Sequence, residues 1–62
     1  MKRENIETRI RKFFDTYDEP GKSEYIDYCI NEFDKWKKSC PKDCDTVNIQ
    51  RAITVTIVEF GL

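Results

Sequence analysis

Between Ser23 and Cys40 the apolar residues recur with the period of an α-helix. Ile26, Cys29, Ile30, Phe33 and Cys40 fall at spacings of three, four and seven, which places them on one face of a 3.6-residue helix. A second set, Tyr25, Tyr28 and Trp36, cannot share that single stripe. On a helical wheel Tyr25 and Trp36 flank it and Tyr28 points well away. This helix therefore needs cover on more than one side, and the rest of the chain must supply it.

Two breaks divide the remainder. Glu19-Pro20-Gly21-Lys22 interrupts the chain before the central segment, and Pro41 follows it. Proline disfavours helical geometry in the residue before it, and glycine tolerates turns. Upstream, Ile6, Ile10, Phe13, Phe14 and Tyr17 form an apolar stripe that predicts a helix over residues 2–19. Ser23 is the expected N-cap of the second helix, over 23–40, with Glu24 and Asp27 in its first turn. So short a connection predicts antiparallel neighbours.

Residues 46–60 carry two patterns. As a helix, Ile49, Ala52, Ile53, Ile57 and Phe60 make one stripe, with a cap from Asp43, Asp45 or Thr46. Gly61 and Leu62 then resemble a Schellman ending, with Leu62 folding back on Ile57. As a strand, Val47, Ile49, Ile53, Val55 and Ile57 alternate with Asn48, Gln50, Thr54 and Thr56. A fifteen-residue strand is long, and the chain offers no second strand to pair with it. The helix is the reading adopted. A strand here would have to pair with another chain in a dimer.

The expected fold is all-α: a single small domain over 1–62, built as a three-helix bundle with helices near 2–19, 23–40 and 45–60. Its expected core is Ile6, Ile10, Phe13, Phe14, Tyr17, Ile26, Cys29, Ile30, Phe33, Trp36, Ile49, Ile53, Ile57 and Phe60. A chain of 62 residues buries only about 60% of its unfolded surface, which leaves it marginally stable. Chains this short commonly rely on disulfides, a metal, a partner or very regular helix packing.

Charge is segregated. Residues 1–12 carry net +3, residues 13–34 net −6, residues 35–42 net +4 and residues 43–62 net −2. Folded as a hairpin, the first two helices put Arg3, Arg9, Arg11, Lys12, Lys35, Lys37 and Lys38 at one end. Asp15, Asp18, Glu19, Glu24 and Asp27 gather at the other. The basic end is the feature that would serve a nucleic-acid-binding protein, but a chain of pI ≈ 5.3 lacks the footprint of one. A solvated face that complements the helix dipoles is the plainer account.

The chemistry of known sites is sparse. There is no histidine, so the commonest general base is missing. No Gly-rich phosphate loop or nucleophile elbow occurs, and no enzymatic activity is expected. The three cysteines, Cys29, Cys40 and Cys44, are spaced eleven and four apart. That spacing matches no zinc pattern, and an odd count argues against a closed disulfide framework. No metal and no cofactor are expected. Cys29 and Cys40 read as small core hydrophobes and Cys44 as part of a connection. The amino-terminal residues have no signal-peptide pattern, no run approaches a membrane span, and a cytoplasmic setting is expected.

What remains is surplus apolar surface. Tyr and Trp are enriched at binding hot spots. Val47, Val55 and Val58 lie on the far side of the third helix from its core stripe, with Arg51 among them. A helix apolar on both sides is normally buried on both sides. Tyr25, Tyr28, Trp36, Val47, Val55 and Val58 are therefore the expected partner-binding residues. The expected function is a small protein-binding module, a regulator or inhibitor that covers a surface on a larger protein. The alternative is nucleic-acid binding through the basic end of the hairpin. Self-association into a two-fold dimer is expected through residues 46–60. Proteins of this size are common in phages and mobile elements, which suits a regulator but is fixed by no residue.

Overall fold

The computed structural model describes residues 1–17 and 20–62. Asp18 and Glu19, read above as the end of the first helix and part of the acidic end, lie outside the described residues. Three helices follow one another: α1 (Arg3–Phe14), α2 (Lys22–Ser39) and α3 (Asp45–Phe60). No strand occurs among the described residues. Residues 45–60 are helical, not the strand their alternation also allowed. Gly61 takes φ 66°, and the Leu62 N–H donates to the Ile57 carbonyl at 2.9 Å, the six-to-one bond of a Schellman ending.

α1 is shorter than its apolar stripe. The Thr16 hydroxyl donates to the Phe13 carbonyl at 3.2 Å. The Tyr17 N–H reaches only three residues back, to Phe14 at 3.0 Å. Such local bonds compete with the α-helical pattern. α2 starts one residue early, at Lys22, and its N-cap is Gly21 and not Ser23. Gly21 sits at φ 87°, which glycine adopts without a Cβ penalty, and its carbonyl receives the Glu24 N–H at 2.9 Å. Asp43, Asp45 and Thr46 do not cap α3; Cys44 holds the N-cap position without a side-chain bond. All three are engaged elsewhere, by Arg51 (2.6 Å), Lys37 (2.6 Å) and Arg9 (2.9 Å).

α2 packs most extensively on α3 and runs antiparallel to it, with α1 laid along one side of the pair. The core holds Ile6, Ile10 and Phe14 from α1, Tyr25, Cys29 and Phe33 from α2, and Ile49, Ala52 and Ile53 from α3. Tyr17, Ile26, Ile30, Trp36, Ile57 and Leu62 are partly buried against it. Two expected core residues lie at its margin: Phe13 and Phe60 are each 38% exposed. The buried stripe of α1 is the four-residue series 6, 10, 14, and Phe13 sits about 100° away from Phe14. Phe60 is the last residue of α3, at the open end of the bundle. Cys40 is half-buried.

Among the described residues, two polar side chains are fully buried. The Thr56 hydroxyl donates to the Ala52 carbonyl at 2.7 Å, one turn back. Asn48 Nδ2 donates to the Cys40 carbonyl at 3.3 Å, satisfying an acceptor at the end of α2 that the helix itself leaves open. The least extent of the Cα trace is 13 Å, against 34 Å along its length. The molecule is flattened, and the side of α2 and α3 away from α1 stays open.

Candidate functional site

That open side is built from two rows. On α2, Tyr28, Glu32 and Trp36 follow at steps of four and stack along the helix. On α3, Val47, Arg51 and Val55 follow at steps of four, and Val58 comes three residues after Val55. The antiparallel register is pinned at both ends. The Arg51 guanidinium lies 5.3 Å from the centroid of the Trp36 ring, and the Tyr28 and Phe60 rings meet edge to face at 5.3 Å. Glu32 and Val55 fall between.

Contacts from α1 show that it covers the other side. Arg3 grips Asp34 with two guanidinium nitrogens. Asp34 is two residues from both Glu32 and Trp36, about 200° around α2. Arg9 donates to Thr46, nine residues before Val55 and about 180° around α3. The surface is uneven in exposure. Val58 is 77% exposed and Val47 40%, while Tyr28, Trp36, Arg51 and Val55 are half-buried.

Charge is fixed at specific points of this face. Arg51 donates to Asp43 at 2.6 Å and to the Asn48 side-chain oxygen at 2.9 Å. Its guanidinium is held more firmly charged by Asp43 above all, against an opposing effect of desolvation. Stacked on Trp36 and tied to Asp43, it is a pre-set planar cation. Lys35 pairs with Glu32 at 3.1 Å. The Tyr28 phenol is pushed up by desolvation first, then by Glu32 and Glu59, with Lys35 opposing. It stays neutral and able to donate a hydrogen bond.

Of the six residues singled out in the sequence, Tyr28, Trp36, Val55 and Val58 come together here, with Val47 at the far end of the α3 row. Tyr25 does not join them. It is 3% exposed, packed among Phe14 (5.1 Å), Phe60 (5.8 Å) and Tyr17 (6.2 Å). α2 is covered by two helices, so its buried arc is wider than one stripe and takes in its flank. Sequence reasoning overlooked Glu32 and Asn48 and gave Arg51 no role. The position of Asn48, one turn before Ala52 in the core stripe, was the available signal; its polarity hid it.

Other features offer less. A shallow cavity of about 140 Å³ lies at the acidic end, lined by Pro20, Gly21, Glu24, Tyr25, Phe60 and Leu62. No group of three or more His, Cys, Asp or Glu side chains is arranged to hold a metal among the described residues. Cys29 is buried, Cys40 half-buried and Cys44 exposed, all as free thiols. The Cys29 thiol is pushed up by burial, against a hydrogen bond with Thr56 that lowers it, so it is protonated and inert at neutral pH. No helix among the described residues is long and apolar enough to cross a membrane.

The basic end is substantially paired. Besides Asp34, Arg3 contacts Glu7 (3.0 Å). Arg11 also reaches Glu7 (3.4 Å), and Lys37 reaches Asp45 (2.6 Å). The positive residues that looked like one patch in the sequence are interleaved with carboxylates in space.

Comparison with known proteins adds no assignment: no family model, no curated protein and no solved structure matches the chain.

Proposed function

We propose that this chain is a small non-enzymatic protein-binding module that uses the α2–α3 face to receive a helix of a larger partner protein, regulating or inhibiting that partner by covering its surface. One observation carries the reading. Tyr28, Trp36 and Arg51, the residue types richest in binding hot spots, lie with Val55 and Val58 on the side that α1 leaves open. A groove between two antiparallel helices accepts the ridge of a further helix. Tyr28 and Arg51 supply polar handles beside apolar area, and Arg51 is already oriented by Asp43 and Trp36, which lowers the entropy lost on binding. Nucleic-acid binding finds less support, because Arg3, Arg11 and Lys37 already face carboxylates.

The test replaces Val58 with a photo-crosslinking amino acid and irradiates the protein in a lysate of the cell that makes it. A specific protein adduct is expected, lost when Trp36→Ala is added and retained when Lys12→Ala is added. Absence of any adduct at Val58, together with specific adducts from a crosslinker at Lys12 on α1, would overturn the assignment of this face.

A further inference from the structure

Where α2 begins and α3 finishes, Phe60 belongs to two surfaces. Its ring meets Tyr28 at the end of the open face (5.3 Å) and Tyr25 in the core (5.8 Å). It also lines the cavity of about 140 Å³, together with Tyr25, Leu62, Pro20, Gly21 and Glu24. Drug-sized pockets run to roughly 300–1,000 Å³, so this one suits the end of a side chain or a small molecule. Three observations set the charge it favours. Glu24 and Glu59 are exposed and make no ion pair among the described residues. Lys22, the basic residue next to the Pro20-Gly21 turn, already lies 3.7 Å from Asp15. α3 ends here with no basic residue in its last turn, whereas α1 has Arg11 and Lys12 and α2 has Lys37 and Lys38. The end of a helix carries partial negative charge and its start partial positive charge. The end of α3 and the start of α2 therefore offset each other, and Glu24 and Glu59 are left to set the sign.

We infer that this cavity is a binding site for an alkylammonium group, with its charge beside Glu24 and its methylenes against Phe60, Tyr25 and Leu62. The lining suits both halves of such a ligand. Aromatic rings attract a cation within about 6 Å of their centres, and apolar walls cover the methylenes that an ammonium carries. A divalent metal ion needs several oxygen ligands, and the lining offers one carboxylate. An anion would meet Glu24 with no lining cation to offset it. The inference does not depend on the reading of the α2–α3 face as a binding surface. Phe60 joins the two places, so the chemistry has two sources: the lysine side chain of a protein, or a free small amine.

The experiment titrates the isotope-labelled full chain with n-butylammonium chloride to tens of millimolar and follows backbone amide shifts by NMR. Saturable shifts are expected at Gly21, Tyr25, Gly61 and Leu62, with a Kd in the millimolar range. n-Butanol, the same alkyl chain without the charge, is expected to move them far less. Glu24→Gln should weaken ammonium binding about fivefold, the size of an exposed ion pair. Phe60→Leu keeps an apolar wall without the ring and should weaken it about two- to fivefold. Both variants should keep the helicity of the parent. Nα-acetyl-lysine N-methylamide separates the sources: tighter binding than n-butylammonium assigns the site to a protein lysine, and equal or weaker binding assigns it to a free amine. Shifts that n-butanol reproduces, or that Glu24→Gln leaves unchanged, would overturn the ammonium site. So would the absence of shifts at these residues over the whole range. None of these results removes the adduct expected at Val58, so failure of the cavity is distinguishable from failure of the binding surface.

Discussion

The two sides of the α2–α3 pair are built from different materials. The side under α1 is mostly apolar: Phe14 and Tyr17 of α1 pack on Tyr25 of α2, and Ile6, Ile10, Ile26, Ile30, Ile53 and Ile57 belong to the same cluster. The opposite side carries Tyr28, Glu32, Trp36, Arg51, Val55 and Val58, with aromatic rings, paired charges and small apolar groups interleaved. A permanent internal contact favours groups with no polar atoms to satisfy, because it never meets water. A face that must tolerate water and also bind favours amphipathic groups, which bury area without stranding a hydrogen-bonding atom. The open side has the composition that the proposed binding role would favour.

Substitutions sharpen that contrast. The largest effect is expected beneath both sides, at Phe33, which is 2% exposed. Phe33→Ala should cost about 3–5 kcal/mol, a large share of the stability of a small domain. Circular dichroism should show a largely unfolded chain at room temperature, and a melt like the parent's would mean that Phe33 is not central to the packing.

Asn48 joins the two sides by linking the end of α2 to Arg51. Asn48→Ala leaves the Cys40 carbonyl without that donor and Arg51 without one acceptor, at a cost of about 1–3 kcal/mol. Urea unfolding should register the loss with little change in slope. An unchanged midpoint would show that this network adds nothing to stability.

Asp45 lies at the start of α3 and should have a smaller effect, one that depends on pH. Its carboxyl is held below the usual range by Lys37 first, then by the amino group of Met1, against desolvation. A depressed folded-state value stabilises the fold above the ordinary aspartate pKa of about 3.9, and the contribution is lost as pH falls through the lower folded value. Asp45→Asn should therefore be less stable than the parent at neutral pH, and the gap should close on acidification. A gap independent of pH would assign the difference to something other than this ion pair.

The smallest effect on stability is expected where the effect on binding is greatest. Val58 is 77% exposed, so Val58→Lys should change the unfolding free energy by less than about 0.5 kcal/mol. If the variant is strongly destabilised, Val58 belongs to the fold, and the contrast between the two sides fails on α3.

The candidate surface was more legible in the sequence than its exact members were. The spacing of Val47, Val55 and Val58 marked a second apolar side on α3, and the off-stripe Tyr28 marked one on α2. Tyr25 was misplaced because its exposure depends on Phe14 and Phe60, which are eleven and thirty-five residues away. Arg51 and Asn48 were passed over because a polar residue carries no periodic signal of burial.

The sequence by itself determined the first two helices and the Pro20-Gly21 break, and it allowed residues 46–60 to be a helix with a Gly61 ending or a strand. Each of these follows from local periodicity and from backbone preferences at single residues. Only the tertiary structure decided which side of α2 and α3 would be covered. That choice depends on where α1 lies after the turn, and its stripe of Ile6, Ile10 and Phe14 fits one side of the pair at a time. Once α1 takes one side, Tyr28, Trp36, Arg51, Val55 and Val58 are left together on the other, a grouping that no spacing along the chain encodes because it forms between two helices.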